Sequence, residues 1–224
     1  MTTTLVVMAK APIPGLCKTR IGHFLGHECA AELQRAMILD CLQRDWPVER
    51  KLVAWSGESD LWHTARELGW ETTEQVDGDL GQRMMAIASS VIETSHRVVI
   101  LGTDAPDLPE SLFQSCLDVI VQDGPAFGPA ADGGYWGIVF GRPHFSVLTG
   151  VTWSTDSVLS DSLSLALAGG LQPVLLPWWT DVDTVADLRR LRLHSSVSNS
   201  RDRPAHAVHT LRLLQSPKFS AFTS

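Results

Sequence analysis

The loop Lys10-Ala11-Pro12-Ile13-Pro14-Gly15-Leu16-Cys17-Lys18-Thr19-Arg20 brings three cations out of one proline-stiffened turn. It follows an apolar run, Leu5 to Ala9, that reads as a buried strand. A cationic loop at the carboxyl end of a parallel strand is where an α/β protein holds a phosphorylated ligand. The alternative is a surface loop with ordinary solvated charges. Opposite chemistry follows the clearest strand of the chain: Gly102-Thr103-Asp104-Ala105-Pro106-Asp107 places two carboxylates at a strand end. A strand-end carboxylate there can hold a hard divalent cation that bridges phosphate oxygens. Asp104, nearest the strand, is the stronger candidate. Asp107 is either a ligand or the N-cap of the helix that starts near Pro109.

Three further stretches carry polar chemistry. Gly128-Pro129-Ala130-Ala131-Asp132-Gly133-Gly134-Tyr135-Trp136 combines a possible base, Asp132, with paired glycines that permit close backbone approach. It reads equally as a tight Asp-Gly hairpin with no function. Trp178 to Leu188 opens a helix; Asp183 or Thr184 caps it, and Asp181 or Asp183 is placed to give a metal its second carboxylate. Asp77-Gly78-Asp79-Leu80-Gly81-Gln82-Arg83-Met84 sets two glycines ahead of a helix, exposing its first N–H groups, with Gln82 and Arg83 as side-chain donors. Arg83 as a plain surface charge is the competing reading.

The elements that must position these residues are short apolar strands alternating with amphipathic segments. That pattern predicts an α/β domain, a mainly parallel (mixed) central sheet flanked by helices. Strands are expected near Thr4–Ala9, Lys51–Trp55, Trp70–Glu74, Arg97–Gly102, Pro125–Gly128, Tyr135–Phe140 and Leu171–Leu176. Helices are expected over His27–Arg44, Asp60–Leu68, Leu80–Glu93, Pro109–Val121, Asp156–Ala168 and Thr184–Leu193. Ser195–Pro204 is polar and reads as a linker, and His206–Leu214 is a short amphipathic piece able to dock back. The expected organisation is one catalytic domain over residues 1–194 and a basic tail with a short helix over 195–224.

Composition narrows the function classes. Of the 224 residues, 44% are hydrophobic, enough for a real core, and no run approaches a membrane span. The start Met1-Thr2-Thr3-Thr4 lacks the basic region and apolar core of a signal peptide, so a cytoplasmic protein is expected. Four scattered cysteines give neither zinc spacing nor a disulfide framework. The net charge of −7 is uneven: residues 189–224 carry seven Arg or Lys against one acid, leaving −13 on the rest. An acidic body argues against nucleic acid as a main partner and suits divalent metals. The eight histidines do not group at metal spacing.

In this order the motifs resemble a GT-A-type family of small bacterial proteins, nucleotide-diphospho-sugar transferase-like and of the DUF2064 type. The matching stretches are MAKAPIPGLCKTRI, GDLGQRM, LGTDAPDL, GPAADGGYW, Trp153-Ser154-Thr155 and TDVDTVADL. The layout is also similar to molybdopterin-cofactor and phospholactate guanylyltransferases. The first loop departs from the Gly-Gly-x-Ser-x-Arg form of sugar nucleotidyltransferases. With prolines there, phosphate contact rests on Lys18 and Arg20. The resemblance implies a Rossmann-like GT-A fold. It implies a nucleotide over the first half of the sheet, bound by Ala9, Lys10, Pro14, Gly15, Lys18 and Arg20, by Gly78, Gly81, Gln82 and Arg83, and by Thr103. It implies Mg²⁺ or Mn²⁺ on Asp104 and Asp183. A small-molecule acceptor would lie near Asp107, Gly133, Gly134, Tyr135, Trp153 and Ser154, with Asp132, Lys18 and Arg20 as the catalytic groups. Trp136 and Trp153 are either acceptor floor or core.

Two reactions share this layout. Glycosyl transfer from a nucleotide sugar needs charge stabilisation of the leaving diphosphate and a base, Asp132. Nucleotidyl transfer to a phosphorylated acceptor needs Lys18 or Arg20 at the α-phosphate and no base. The resemblance favours the first. A non-catalytic nucleotide-binding protein is the third reading, and Asp104 and Asp183 speak against it.

Overall fold

The computed structural model describes residues 2–197 and 206–219. Its centre is a seven-stranded sheet in the order β3-β2-β1-β4-β6-β5-β7. The strands are β1 (Thr3–Lys10), β2 (Arg50–Ser56), β3 (Glu71–Glu74), β4 (Arg97–Leu101), β5 (Ala126–Pro129), β6 (Tyr135–Phe140) and β7 (Val174–Leu175). Among them β6 alone runs against its neighbours. The helices are α1 (Thr19–Leu25), α2 (His27–Gln43), α3 (Leu61–Glu67), α4 (Leu80–Ile92), α5 (Glu110–Asp118), α6 (Val158–Ala168), α7 (Val185–Val197) and α8 (Val208–Leu214). No helix among the described residues is long and apolar enough to cross a membrane.

The central strands are apolar at successive positions because both sheet faces are covered. Leu5, Val7, Val99 and Leu101 point into the core beneath α2 and α5, with Ile38, Leu42, Phe113 and Cys116. Val6, Val98 and Ile100 point into the opposite core, with Met84, Ile87, Ala88 and Val91 of α4. A third cluster joins α1, α2, α7 and α8 through Ile21, Leu33, Met37, Leu188, Leu191 and Leu214. Asp40 of α2 caps α8 across the chain. Its carboxylate accepts from His209 N at 2.6 Å and Thr210 N at 2.9 Å.

This order fixes where a ligand can bind. From β1 the chain passes outward to β2 and β3, then returns to place β4 on the other side of β1. The crevice at the carboxyl ends of β1 and β4 is therefore the topological switch point. Because β6 is antiparallel, with Gly137 opposite Leu101, its first residues lie at that same edge. After β7 the chain follows the end of β5, with Trp179 N on Pro129 O at 3.0 Å, and reaches Asp104, where Val182 N meets the carbonyl at 2.8 Å.

Several boundaries differ from the sequence expectations. Helix α1 is absent from the sequence expectations: it is one short element of seven residues between a left-handed Lys18 and Gly26, with only Ile21, Phe24 and Leu25 as an apolar signal. Helix α5 stops at Asp118 rather than Val121. Arg97 takes the Cys116 and Val119 carbonyls at 2.8 and 2.7 Å, which satisfies the helix end there. Strand β7 keeps two residues of an expected six, since Pro173 and Pro177 flank it and neither offers an N–H. Helix α7 runs on through Val197, into the segment read as a linker. The remainder of that linker, residues 198–204, lies outside the described residues.

Candidate functional site

Two adjoining cavities open at the switch point, about 370 Å³ beside the first loop and about 420 Å³ over β4 and β6. They share Asp104, Asp183, Arg20, Leu80 and Met8, and are two lobes of one cleft.

The first lobe is built by the basic loop. After the two prolines the chain turns tightly, with Leu16 N on Ile13 O at 3.0 Å, and enters α1 through Lys18 at φ 43°. A left-handed lysine costs on the order of 1–2 kcal/mol. Its ammonium contacts explain why the conformation holds. Lys18 Nζ donates to Val182 O at 2.7 Å and to Asp183 Oδ1 at 3.0 Å, and lies 2.8 Å from Asp104 Oδ1. Its three N–H groups thus meet three acceptors, with the side chain only 4% exposed. Burial alone would lower this ammonium's pKa, but Asp104 and Asp183 outweigh it and hold it above the ordinary value. Lys18 therefore remains a cation between the two carboxylates expected to hold metal. Arg20 differs: its side chain is 65% exposed and stands 4.0 Å from Asp183 Oδ2. Lys10 is also exposed at the mouth of this lobe.

Two local devices fix the carboxylates. Gln34 of α2, almost fully buried, donates to Lys10 O at 3.3 Å and Thr103 Oγ1 at 3.1 Å, joining the first loop to the Asp104 loop. Asp187 receives Asp183 N, Thr184 N and Thr184 Oγ1 on one oxygen, which caps α7 and sets the backbone of Asp183. Gln34 escaped the sequence reading. The available signal was a polar residue inside the apolar stripe Ala30, Leu33, Met37 and Cys41.

The second lobe has an aromatic floor and acidic walls. Tyr135 and Trp153 meet edge to face, with ring centroids 6.3 Å apart. Trp153 approaches α4 closely because Gly81 has no Cβ; one added there would lie 2.7 Å from the indole. Trp136 belongs to the core more than to the floor: it is 4% exposed and donates to Pro177 O at 3.1 Å. The 130–134 turn joins β5 and β6 as a hairpin, and Asp132 Oδ1 accepts from Gly134 N at 3.0 Å. Gly133, at φ 89°, sits directly on the Asp156 backbone, where any Cβ would clash. Ser154, at φ 65°, lines the opposite wall. Among the described residues, Lys18 and Ser154 are the two non-glycine positions with positive φ, and each lines one lobe. Strain at two walls of one cleft points to function there.

Asp181 also faces this lobe. Burial, then repulsion from Asp104, Asp132 and Asp183, pushes its carboxyl up to about 7, with Lys18 opposing. The site is short of positive charge even with the lysine in place. The described residues bring no three metal-ligating side chains together. The donor chemistry nonetheless fits a hard divalent ion. Asp104 and Asp183 each commit one oxygen to Lys18 and keep the other, and Mg²⁺ commonly uses only one or two carboxylates besides substrate phosphates.

Other candidates lie elsewhere or have other work. Asp107 is buried outside the cleft, 3.6 Å from Arg190 and accepting from Trp179 Nε1 at 3.3 Å. Gln82 closes the capping box of α4 with Asp79, and Arg83 donates to Gly78 O at 2.9 Å and Ser56 Oγ at 3.3 Å. Of that motif Leu80 and Met84 reach the cleft, while Gly78, Gly81, Gln82 and Arg83 do not line it. Ala9 is buried in the sheet; Pro14 and Gly15 form the outer bend of the loop, away from both lobes. Thr103 lines the first lobe.

A family described as "Uncharacterized protein conserved in bacteria (DUF2064)" matches residues 38–155. No curated protein matches the chain. Among solved structures it is similar to a protein from Desulfovibrio desulfuricans G20 provisionally described as a nucleotide-diphospho-sugar transferase. The two are 28% identical over 99% of each chain, with a TM-score of 0.79. The inositol-1-phosphate CTP transferase of T. maritima is 15% identical over 96% of this chain and 97% of its own, with a TM-score of 0.55. Rv0371c of Mycobacterium tuberculosis H37Rv, in complex with manganese, is 18% identical over 85% of this chain and 97% of its own, with a TM-score of 0.51. The last two likenesses show a shared fold.

Proposed function

We propose that this chain, which belongs to the DUF2064 family, is a metal-dependent transferase that moves a glycosyl group from a nucleotide sugar to a small acceptor. One observation carries the reading: a basic lobe and an aromatic, acid-walled lobe meet at Asp104, Lys18 and Asp183, where a diphosphate and an acceptor would face each other. The full-length likeness to the Desulfovibrio protein supports the donor class.

The donor diphosphate lies in the first lobe, where Arg20 and Lys10 are free to reach it and Lys18 adds a fixed charge. Asp104 and Asp183 would hold Mg²⁺ or Mn²⁺, which when bound neutralises charge on the diphosphate. The acceptor hydroxyl lies in the second lobe. Asp132 takes its proton as the acceptor oxygen bonds to the sugar's anomeric carbon and the bond from that carbon to the diphosphate oxygen breaks. Tyr135 and Trp153 give the reacting groups an apolar floor.

Calorimetry of nucleotide sugars against nucleoside triphosphates, with and without Mn²⁺, tests the donor. Metal-dependent binding of a nucleotide sugar is expected. Binding of triphosphates alone would replace this reading with nucleotidyl transfer.

A further inference from the structure

Resting on that donor–acceptor reading, we propose that the lobe floored by Tyr135 and Trp153 takes an acceptor with hydroxyls and an apolar face but no acidic group. A neutral glycoside is the simplest case.

Charge is the first argument. Five aspartates line this lobe: Asp104, Asp132, Asp156, Asp181 and Asp183. Among the described residues the one Lys or Arg lining it is Arg20, which comes from the basic loop and stands near Asp183. Lys18 contributes little outward, since its N–H groups are already directed at Val182, Asp104 and Asp183. A divalent ion on Asp104 and Asp183 would join Lys18 and Arg20 at the junction, whereas among the described residues no cation stands at ion-pair distance from Asp132 or Asp156. A phosphate or carboxylate entering beside Asp132 and Asp156 meets like charge, and such juxtaposition costs several kcal/mol. Ionised carboxylates only accept hydrogen bonds, so they suit hydroxyl donors.

Shape is the second argument. Tyr135 and Trp153 offer an apolar floor, and the apolar face of a sugar ring fits such a surface. The walls are set before any ligand arrives. Leu159 N bonds to Gly133 O at 2.9 Å, Gly134 N to Asp132 Oδ1 at 3.0 Å, and Thr155 Oγ1 to Thr152 O at 2.7 Å. A preset acidic wall does not fold away to admit an anion.

The test follows the Trp153 indole N–H resonance of the full chain, with Mg²⁺ and UDP present, during titration with phenyl β-glucoside, phenyl β-glucuronide or phenyl phosphate. The glucoside is expected to shift the resonance and to bind about tenfold or more tightly than either anion. Asp156→Asn, alone and with Asp132→Asn, is expected to narrow that gap by strengthening the anions, and the same spectra show that the variants fold. An anion binding as tightly as the glucoside, or a glucoside that leaves the resonance unmoved near its solubility limit, overturns the inference. Donor calorimetry is separate: a chain that prefers the glucoside but binds no nucleotide sugar keeps the lobe's chemistry and loses the transferase reading.

Discussion

The two lobes use opposite strategies with the same materials. The first puts its mobile charges in solvent: Arg20 and Lys10 are exposed and adjustable. The second locks its charges into short loops bonded to one another. Between them Lys18 is buried and paired with two half-buried carboxylates, its three N–H groups satisfied. A diphosphate on a flexible nucleotide benefits from cations that adapt, whereas a reacting hydroxyl needs a base held in one place. The junction must be rigid because both lobes are measured from it.

The comparison breaks most severely if the junction loses its cation. Lys18→Met leaves Asp104, Asp181 and Asp183 facing one another across a partly buried site, and removing one partner of a buried ion pair costs about 3–5 kcal/mol. Because solvent reaches Asp104 and Asp183 and the methionine still fills space, the loss is smaller, and urea unfolding should lose about 2 kcal/mol at pH 8. An unchanged urea midpoint would mean the lysine is not the keystone. Asp104→Asn is the next break. It keeps the shape and removes a carboxylate from Lys18 and from the proposed metal site, so metal-dependent donor affinity should fall about a hundredfold, near 2.7 kcal/mol. Calorimetry with Mn²⁺ decides it, and equal affinities would remove Asp104 from the metal site.

Acidity sharpens the contrast further. The Asp181 carboxyl, raised to about 7 by burial and its acidic neighbours, keeps its proton in the folded chain over a range where the unfolded chain has lost it. The native state then binds more protons, so stability contributed by this group is fully present below the unfolded value near 3.9 and declines as pH rises through about 7. Asp181→Asn in metal-free buffer should flatten that decline and stabilise the chain at pH 8 by on the order of 2 kcal/mol. Parallel pH profiles for the two proteins would show that the acidic lobe tolerates its charge without strain.

How much of this was legible in the sequence follows from where the information lies. Strand ends were legible because apolar runs stop abruptly at Lys10 and Gly102, and those stops place the basic loop and Asp104. That a second carboxylate near Asp104 comes from Asp181 or Asp183 is legible from the residues, but the choice of Asp183 rests on family resemblance, since Asp104 and Asp183 stand 79 positions apart in the chain. Lys18 between them was not readable at all: a lysine near two distant acids looks in sequence like one near phosphate. Gln82 and Arg83 misled for a related reason. Donors at a helix start serve the helix's own cap as readily as a ligand, and here they serve the cap and neighbouring loops. Asp107 is similar, a carboxylate after a strand that the chain buries against Arg190 instead of opening to the cleft. Short-range chemistry was visible, while its direction depended on contacts that only the folded chain makes.

The smallest expected effect separates the lobes most cleanly. Lys18 and Ser154 share a left-handed backbone, yet Lys18 has buried contacts to hold it there while Ser154 lies on an exposed wall. Relieving the strain should therefore have opposite consequences. At Ser154, glycine removes a conformational penalty of about 1–2 kcal/mol and adds about 0.5–1 kcal/mol of unfolded-state freedom, leaving a net gain of up to about 1 kcal/mol. Ser154→Val, being β-branched, should lose about 1–2 kcal/mol at the same position. If the strain fixes the acceptor wall, Ser154→Gly should raise the melting temperature while lowering turnover with acceptor more than donor affinity. A glycine variant that melts lower than the parent chain would show that Ser154 is held by contacts of its own, and the two lobes would then be rigid for the same reason.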